Sequence, residues 1–197
     1  MQAVVGGSAV PAPRPEDQTA EENLLDVGFP WPLSRQTVSH LNDSPMVVAH
    51  AIEHVSAEGG HVGVVGWPEL SFASIEHMDN VIAVPRPGPE PLGISAVLAE
   101  GLDLVVQHNA TRLELTPAAA RPFLAKVRGG RAAVVLVGVE VPSPSMRLHA
   151  QATTYRGIGR GVGRITGVDV EMTLRTKDRR ERATLTLGQA ERRLRAV

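Results

Sequence analysis

The chain has 197 residues and a mass of 21.0 kDa, room for one domain of ordinary size with short tails. Hydrophobic residues at 43% and charged residues at 21% suit a folded globular chain, and aromatics at 3% leave the core to Val, Leu, Ile and Ala. With no cysteine there is no disulfide framework, thiolate zinc site or Cys nucleophile. Apolar runs such as Ala132 to Val137 fall far short of the roughly 18–20 residues of a membrane span. The N-terminus lacks a basic region followed by a hydrophobic segment, so a cytoplasmic protein with no membrane partner is expected. The net charge of −1 conceals a sorting along the chain. Residues 1–110 hold 3 basic (Arg14, Arg35, Arg86) against 14 acidic side chains, net −11, and residues 111–197 hold 17 against 7, net +10. An Arg-rich C-terminal face then offers itself to nucleic acid or an acidic protein.

Residues 1–22 mix Pro, Ala, Gly and acids without hydrophobic periodicity and read as a disordered tail, leaving 23–188 as the domain and 189–197 as a basic C-terminal tail. In chain order, strands are predicted at Thr37–Leu41, His61–Gly66, Asn80–Val84, Leu102–Val106 and Arg131–Gly138. Most are continuous apolar runs, as strands buried on both faces require. A helix capped by Ser44, with Pro45 in its first turn, presents Val48, Ile52 and Val55 and stops at Gly59-Gly60. A second covers about Pro91–Glu100. A third follows Thr116-Pro117, with Pro122 delaying its regular part to near Ala119, and ends at Gly129-Gly130. Beyond Gly138, Arg147–Tyr155, Gly163–Leu174 and Arg182–Leu187 alternate polar and apolar residues without helices between them. The fold class predicted is α/β: a largely parallel central sheet flanked by helices, with an antiparallel C-terminal extension.

Two motifs invite chemistry. His50-Ala51-Ile52-Glu53-His54 has the H-x-x-E-H spacing of a zinc peptidase, but both His fall opposite the Val48/Ile52/Val55 stripe, which predicts a solvated helix face and no metal site. The segment YRGIGRGVGR resembles a nucleotide-binding glycine loop, yet Val162, Arg164 and Thr166 stand where G-x-G-x-x-G would need glycine. Alternation instead puts Arg156, Arg160 and Arg164 on one side of an extended strand or around a hairpin, where they form either a solvated edge or phosphate contacts. There is no G-x-S-x-G and no catalytic constellation.

The succession Met46–Gly60, VVGWPELS, NVIAVPRPGPEPLGISAVLAEGLDLVV and LTPAAARPFLAKVRGGRAAVVLVG resembles the core of the RecA superfamily, element by element, over about Leu24 to Leu187. The resemblance includes an exposed turn, GFPWPLSRQTVSHL, ahead of the first strand. GGHVGVVGWPELS, LAKVRGGRAAVVLVG and TTYRGIGRGVGRITG are most similar to the shortened RecA-like accessory proteins of bacterial mutasomes, ImuA and its actinobacterial relative ImuA′.

The departures from RecA carry the functional expectation. A RecA-type ATPase needs a glycine-rich loop ending in Gly-Lys-Thr between first strand and first helix, because backbone N–H groups cradle the phosphates and the Lys reaches them. Here that junction contains Asn42, Asp43, Ser44 and Pro45, with neither Gly nor Lys and an acid where phosphate would sit. Gln107 and His108 stand where the strand should end in a magnesium-organising Asp, and Glu69, near the family's water-activating glutamate, is left without a substrate. The connections Gln107–Pro117 and Val139–Met146 look like cut-down DNA loops.

The resemblance therefore implies a non-enzymatic, cofactor-free pseudo-ATPase of the SOS response to DNA damage. Its partner would be the polymerase-like subunit ImuB, with RecA and the error-prone C-family polymerase of translesion synthesis as indirect partners. A SulA-like cell-division inhibitor and a divergent RecA-family ATPase are the alternatives. Weak, sequence-indifferent DNA binding is expected from Arg156, Arg160, Arg164 and the stretch Arg175–Arg182. Docking of ImuB is assigned to Arg179, Arg180, Arg182, Arg192 and Arg193 as a rim around Leu185, Leu187 and Leu194.

Overall fold

The computed structural model describes residues 23–159 and 162–188. Their elements in order are β1 (Leu24–Leu25), β2 (Leu33–Ser34), β3 (Val38–Leu41), α1 (Pro45–Ala57), β4 (Val62–Val65), β5 (Val81–Val84), α2 (Pro91–Gly101), β6 (Leu104–Glu114), α3 (Pro117–Gly129), β7 (Ala133–Glu140), β8 (Met146–Gly159), β9 (Val162–Arg175) and β10 (Arg180–Gly188). Strands β3 to β10 form one eight-stranded sheet in the order β10-β9-β8-β3-β7-β6-β4-β5. Every neighbouring pair from β5 through β3 to the start of β8 is parallel, and β8-β9-β10 is an antiparallel meander. The chain is α/β with a mixed, mostly parallel sheet, in the arrangement the apolar runs imply.

Alternation along the parallel strands sends side chains to two cores. Leu104, Val106, Val135 and Val137 join Val47, Val48, Ile52 and Val55 of α1 on one face. Val105, Val134 and Leu136 join Ala96 and Ala99 of α2 and Ala120, Phe123 and Val127 of α3 on the other. The sheet is thus the middle layer of three. Among the described residues no helix is long and apolar enough to cross a membrane.

Four expectations need correction. The turn around Phe29 and Trp31 is not exposed: Val27, Phe29, Trp31 and Leu33 are buried in the α1-side core, and Trp31 Nε1 donates to Glu181 of β10. Strand β6 does not end at Val106 but continues to Glu114, because Leu113 and Glu114 pair with Val139 and Glu140 across a register shift. Helix α3 starts at Pro117, where Thr116 Oγ1 accepts from Ala119 N at 3.3 Å, and it absorbs Pro122 without interruption. Ser44 is the N-cap of α1, but its side chain makes no capping bond.

One polar clasp ties the amino ends of the strands together. Asp103, with a side chain 9% exposed, accepts from Arg35 Nη1 at 2.9 Å, Arg131 Nη2 at 2.6 Å and the His61 backbone N–H at 2.9 Å. Burial alone pushes its carboxyl up, but these donors outweigh that and hold it below the ordinary carboxylate range. A carboxylate with a depressed folded-state pKa contributes stability that is complete above its unfolded value near 3.8 and is lost as pH falls through the folded value. Asp103→Asn is therefore expected to cost about 1.5–3 kcal/mol at neutral pH. It should also shrink the loss of stability below pH 4, as read by urea unfolding of Trp31 and Trp67 fluorescence across an acid series.

Candidate functional site

In open α/β sheets ligands bind outside the carboxyl ends of the parallel strands. Here that region is an open cleft of about 420 Å³ beyond β3, β6 and β7, lined by Asn42, Asp43, His40, His108, Arg112, Glu140 and Arg147, among others. It contains the β3–α1 junction and His108 of β6, two features on which the sequence argument turned.

The junction is occupied by sheet bonding. Asn42 Nδ2 donates to the Ala150 carbonyl at 3.0 Å, and Asn42 Oδ1 accepts from Ala150 N at 2.6 Å. This amide reproduces a backbone pairing and continues the ladder between β3 and β8 after the main chain has turned away. At the start of α1, Pro45 has no N–H, and the Val47 and Val48 N–H groups both bond the Ser44 carbonyl. Asp43 projects toward His108, with Oδ2 at 4.0 Å from Nε2. A phosphate would find an acid, a proline and committed amides, so this donor set does not fit a nucleotide.

On β6, Gln107 is fully buried, accepts from Ser95 Oγ at 2.5 Å and donates to the His108 carbonyl at 2.8 Å. His108 stacks on Trp67 with ring centroids 4.2 Å apart, and its Nδ1 lies 3.0 Å from the Gly66 carbonyl. Gln107 and His108 are thus packing and bracing groups. The close approach of β6 and β7 needs glycine: Gly138 has φ +75, and a Cβ there would lie 2.1 Å from the Asn109 carbonyl oxygen.

The same cleft holds a titratable trio of His40, Glu140 and Arg147, drawn from three strands. His40 is buried, accepts from Val141 N at Nε2 (3.1 Å) and faces Glu140 Oε2 from Nδ1 at 3.0 Å. Because Nε2 is an acceptor, the single proton of the neutral ring sits on Nδ1 and is donated to Glu140. Arg147 Nη1, 2.6 Å from both Glu140 Oε2 and His40 Nδ1, bonds the carboxylate and stands against the ring as a second donor. Burial, aided by Arg147, lowers the His40 pKa despite Glu140. Burial raises Glu140, but Arg147 and His40 outweigh it and bring it below its usual value.

The remaining assigned residues are scattered. Arg156 does not face open solvent: it pairs with Asp169, which also accepts from Thr186 Oγ1 at 2.8 Å, and Asp169 is held below the ordinary carboxylate range by that bond and by Arg156. Arg156 is therefore not an open phosphate contact. Arg164 is exposed on β9, and Arg160 lies outside the described residues. Arg192, Arg193 and Leu194 also lie outside them. Leu185 is buried in the α1-side core and Leu187 packs against it, so neither is an exposed anchor. Arg179 pairs with Glu181 and Arg182 with Glu171, while Arg180 is exposed without an acid partner among the described residues.

Exposed apolar side chains stand instead on the β8–β9 hairpin: Tyr155 (49%), Ile158 (63%) and Ile165 (51%). His50 and His54 are not a solvated face. The N-terminal segment folds over them, with His50 Nε2 3.1 Å from the Gly28 carbonyl and His54 Nε2 3.3 Å from Asp26. Asp26 is lowered by the Gly28 N–H and by His54. Among the described residues no group of three or more His, Asp or Glu is arranged to hold a metal. Glu69 is exposed beside Trp67.

Residues 28–143 match the MT3502 N-terminal domain family. The chain is also similar to the uncharacterized protein Rv3395c of Mycobacterium tuberculosis, 30% identical over 161 residues that cover 76% of this chain and 78% of that protein.

The His40 trio generates a pH dependence. Its folded pKa lies below the unfolded value of about 6.5, so the unfolded chain binds the extra proton first and stability falls as pH drops below 6.5. Urea midpoints measured between pH 7.5 and 5.5 should decline, and His40→Gln should flatten that limb. An unchanged slope in the variant would locate the effect elsewhere.

Proposed function

The chain belongs to the MT3502 N-terminal domain family, and we propose that it serves as a non-catalytic, RecA-fold adaptor of the SOS-induced mutasome, binding an ImuB-type subunit in error-prone translesion synthesis. The observation that carries this reading is the two-point bond between Asn42 and Ala150. It retains a strand, turn and helix of the RecA kind while using the turn to hold the sheet together. A fold that keeps its framework and gives up its phosphate cradle has its surfaces left to act with. The likeness of the segments around Trp67, Lys126 and Arg156 to ImuA-type proteins supplies the partner class. Similarity to a protein of Mycobacterium tuberculosis agrees with the actinobacterial branch of that group.

Isothermal titration with ATP and Mg²⁺ is expected to give no saturable binding tighter than about 1 mM. Single-stranded DNA should elicit no turnover. Micromolar affinity or stimulated hydrolysis would overturn the pseudo-ATPase reading.

Partner choice is tested by tagged capture from DNA-damaged cells, where ImuB is expected; recovery of the tubulin-like division protein in its place would favour the SulA-like alternative. Deleting residues 189–197 should leave thermal unfolding unchanged, since the described core does not use them, and reduce ImuB capture several-fold. If Ile158→Ser with Ile165→Ser reduces capture and the deletion does not, the docking surface lies on the β8–β9 hairpin and the C-terminal assignment is wrong.

A further inference from the structure

Part of the positive charge of the second half of the chain is held in ion pairs. Arg131 is bound to Asp103, Arg112 to Glu114, Arg147 to Glu140, Arg156 to Asp169, Arg179 to Glu181 and Arg182 to Glu171. Around the β9–β10 turn three cations cluster without such partners. Arg175, Lys177 and Arg180 are all exposed, and none has a carboxylate within ion-pair distance among the described residues.

Strand register makes this cluster unusual. Arg147 of β8 lies directly opposite Arg175 of β9, and Arg175 directly opposite Arg180 of β10. Three arginines therefore stand in one row across three strands, spanning about 10 Å at the usual strand spacing. Like charges directly opposite one another destabilise a sheet, and here only Arg147 has an acid, Glu140, to offset it.

The row borders a cleft of about 410 Å³ lined by Ser143, Pro144, Arg147, Arg175, Thr176 and Lys177. Ser143 has φ 52, the left-handed region that a residue with a side chain rarely adopts, and such backbone strain collects at ligand sites. The turn itself is rigidly built. Thr176 N donates to the Arg179 carbonyl at 3.0 Å, and Thr176 Oγ1 accepts from the Arg179 and Asp178 N–H groups, which leaves its own proton to donate outward.

We infer that this cleft is a binding site for the phosphodiester backbone of single-stranded nucleic acid, distinct from the erased nucleotide cleft although Arg147 borders both. Arginine forks, a lysine and two hydroxyls are the groups that hold phosphate oxygens, and guanidinium planes accept them bidentately. A row of about 10 Å matches more than one phosphate of an extended strand, which a single free anion would not fill. Contacts to the phosphate backbone carry no sequence information, so binding is indifferent to sequence. The site does not depend on the adaptor reading: it stands or falls on binding by the purified chain, without ImuB.

The test is fluorescence anisotropy of the full chain with a labelled thymidine 20-mer at about 50 mM salt. The combined Arg175→Gln, Lys177→Gln, Arg180→Gln variant should bind about tenfold more weakly, and the slope of log affinity against log salt should fall by about 2, the loss of three single-strand phosphate contacts. Arg121→Gln with Lys126→Gln, on exposed α3 positions, should change neither. Should the triple variant fail to fold, Lys177→Gln alone, in an exposed turn, is expected to lower the slope by about 0.7. The proposal is overturned if the wild-type chain does not bind the oligonucleotide, or if the variants bind as wild type. It is equally overturned if polyglutamate displaces the strand at a lower concentration than unlabelled oligonucleotide, which would mark an acidic protein site, or if inorganic phosphate at matched phosphate concentration displaces it equally well, which would mark a free-anion site.

Discussion

The continuity of the sheet depends on β3. It is four residues long, yet it is the strand that joins the parallel half to the antiparallel meander, and its backbone ladder to β8 has three residue pairs, from Ser39 with Met146 to Leu41 with Leu148. So short a seam between two large half-sheets needs reinforcement at both ends. At the carboxyl end Asn42 supplies it through both atoms of its amide. At the amino end Ser145 does, with its N–H and hydroxyl both on the Val38 carbonyl and Thr37 Oγ1 3.1 Å from its hydroxyl oxygen. The seam explains why the Asn42 side chain at the β3–α1 junction is committed to sheet bonding. A phosphate loop must leave its N–H groups unbonded and convergent, and a junction that also splices two half-sheets cannot do so.

The charge sorting along the chain has a related structural meaning. The acidic and basic halves meet in an ion pair at Asp103 of the first half and Arg131 of the second. Within the second half, Arg112, Arg147, Arg156, Arg179 and Arg182 are paired with acids of the same half. The cations of that half without an acid partner among the described residues stand on α3 (Arg121, Lys126, Arg128) and on the meander (Arg164, Arg175, Lys177, Arg180), and strand register aligns two of the latter with Arg147.

Much of the fold was legible because buried parallel strands need apolar residues on both faces, and Val62–Val65, Leu104–Val106 and Ala133–Val137 are written that way. The extension of β6 through His108–Glu114 was not, since QHNATRLE has no apolar run and is extended only because β7 offers Val139 and Glu140 as partners. Helical periodicity correctly removed His50 and His54 from the core stripe, but it carries no information about the distant segment that folds over them. The alternation of Ala183, Leu185 and Leu187 did mark them as an inward row, a signal outweighed by the arginines around them.

The candidate site divides along the same line. The absence of Lys and Gly at residues 42–45 is a property of composition and was readable directly. The contacts that occupy the junction and the cleft were not, because Asn42–Ala150, Trp67–His108 and His40–Glu140 join residues 41 to 108 positions apart. Each is made by the register of neighbouring parallel strands, whose carboxyl ends bring together residues that the chain keeps apart. The cross-strand row of Arg147, Arg175 and Arg180 is information of the same kind: each residue is ordinary in its own segment, and only their alignment across β8, β9 and β10 concentrates charge that an acid offsets at Arg147 alone.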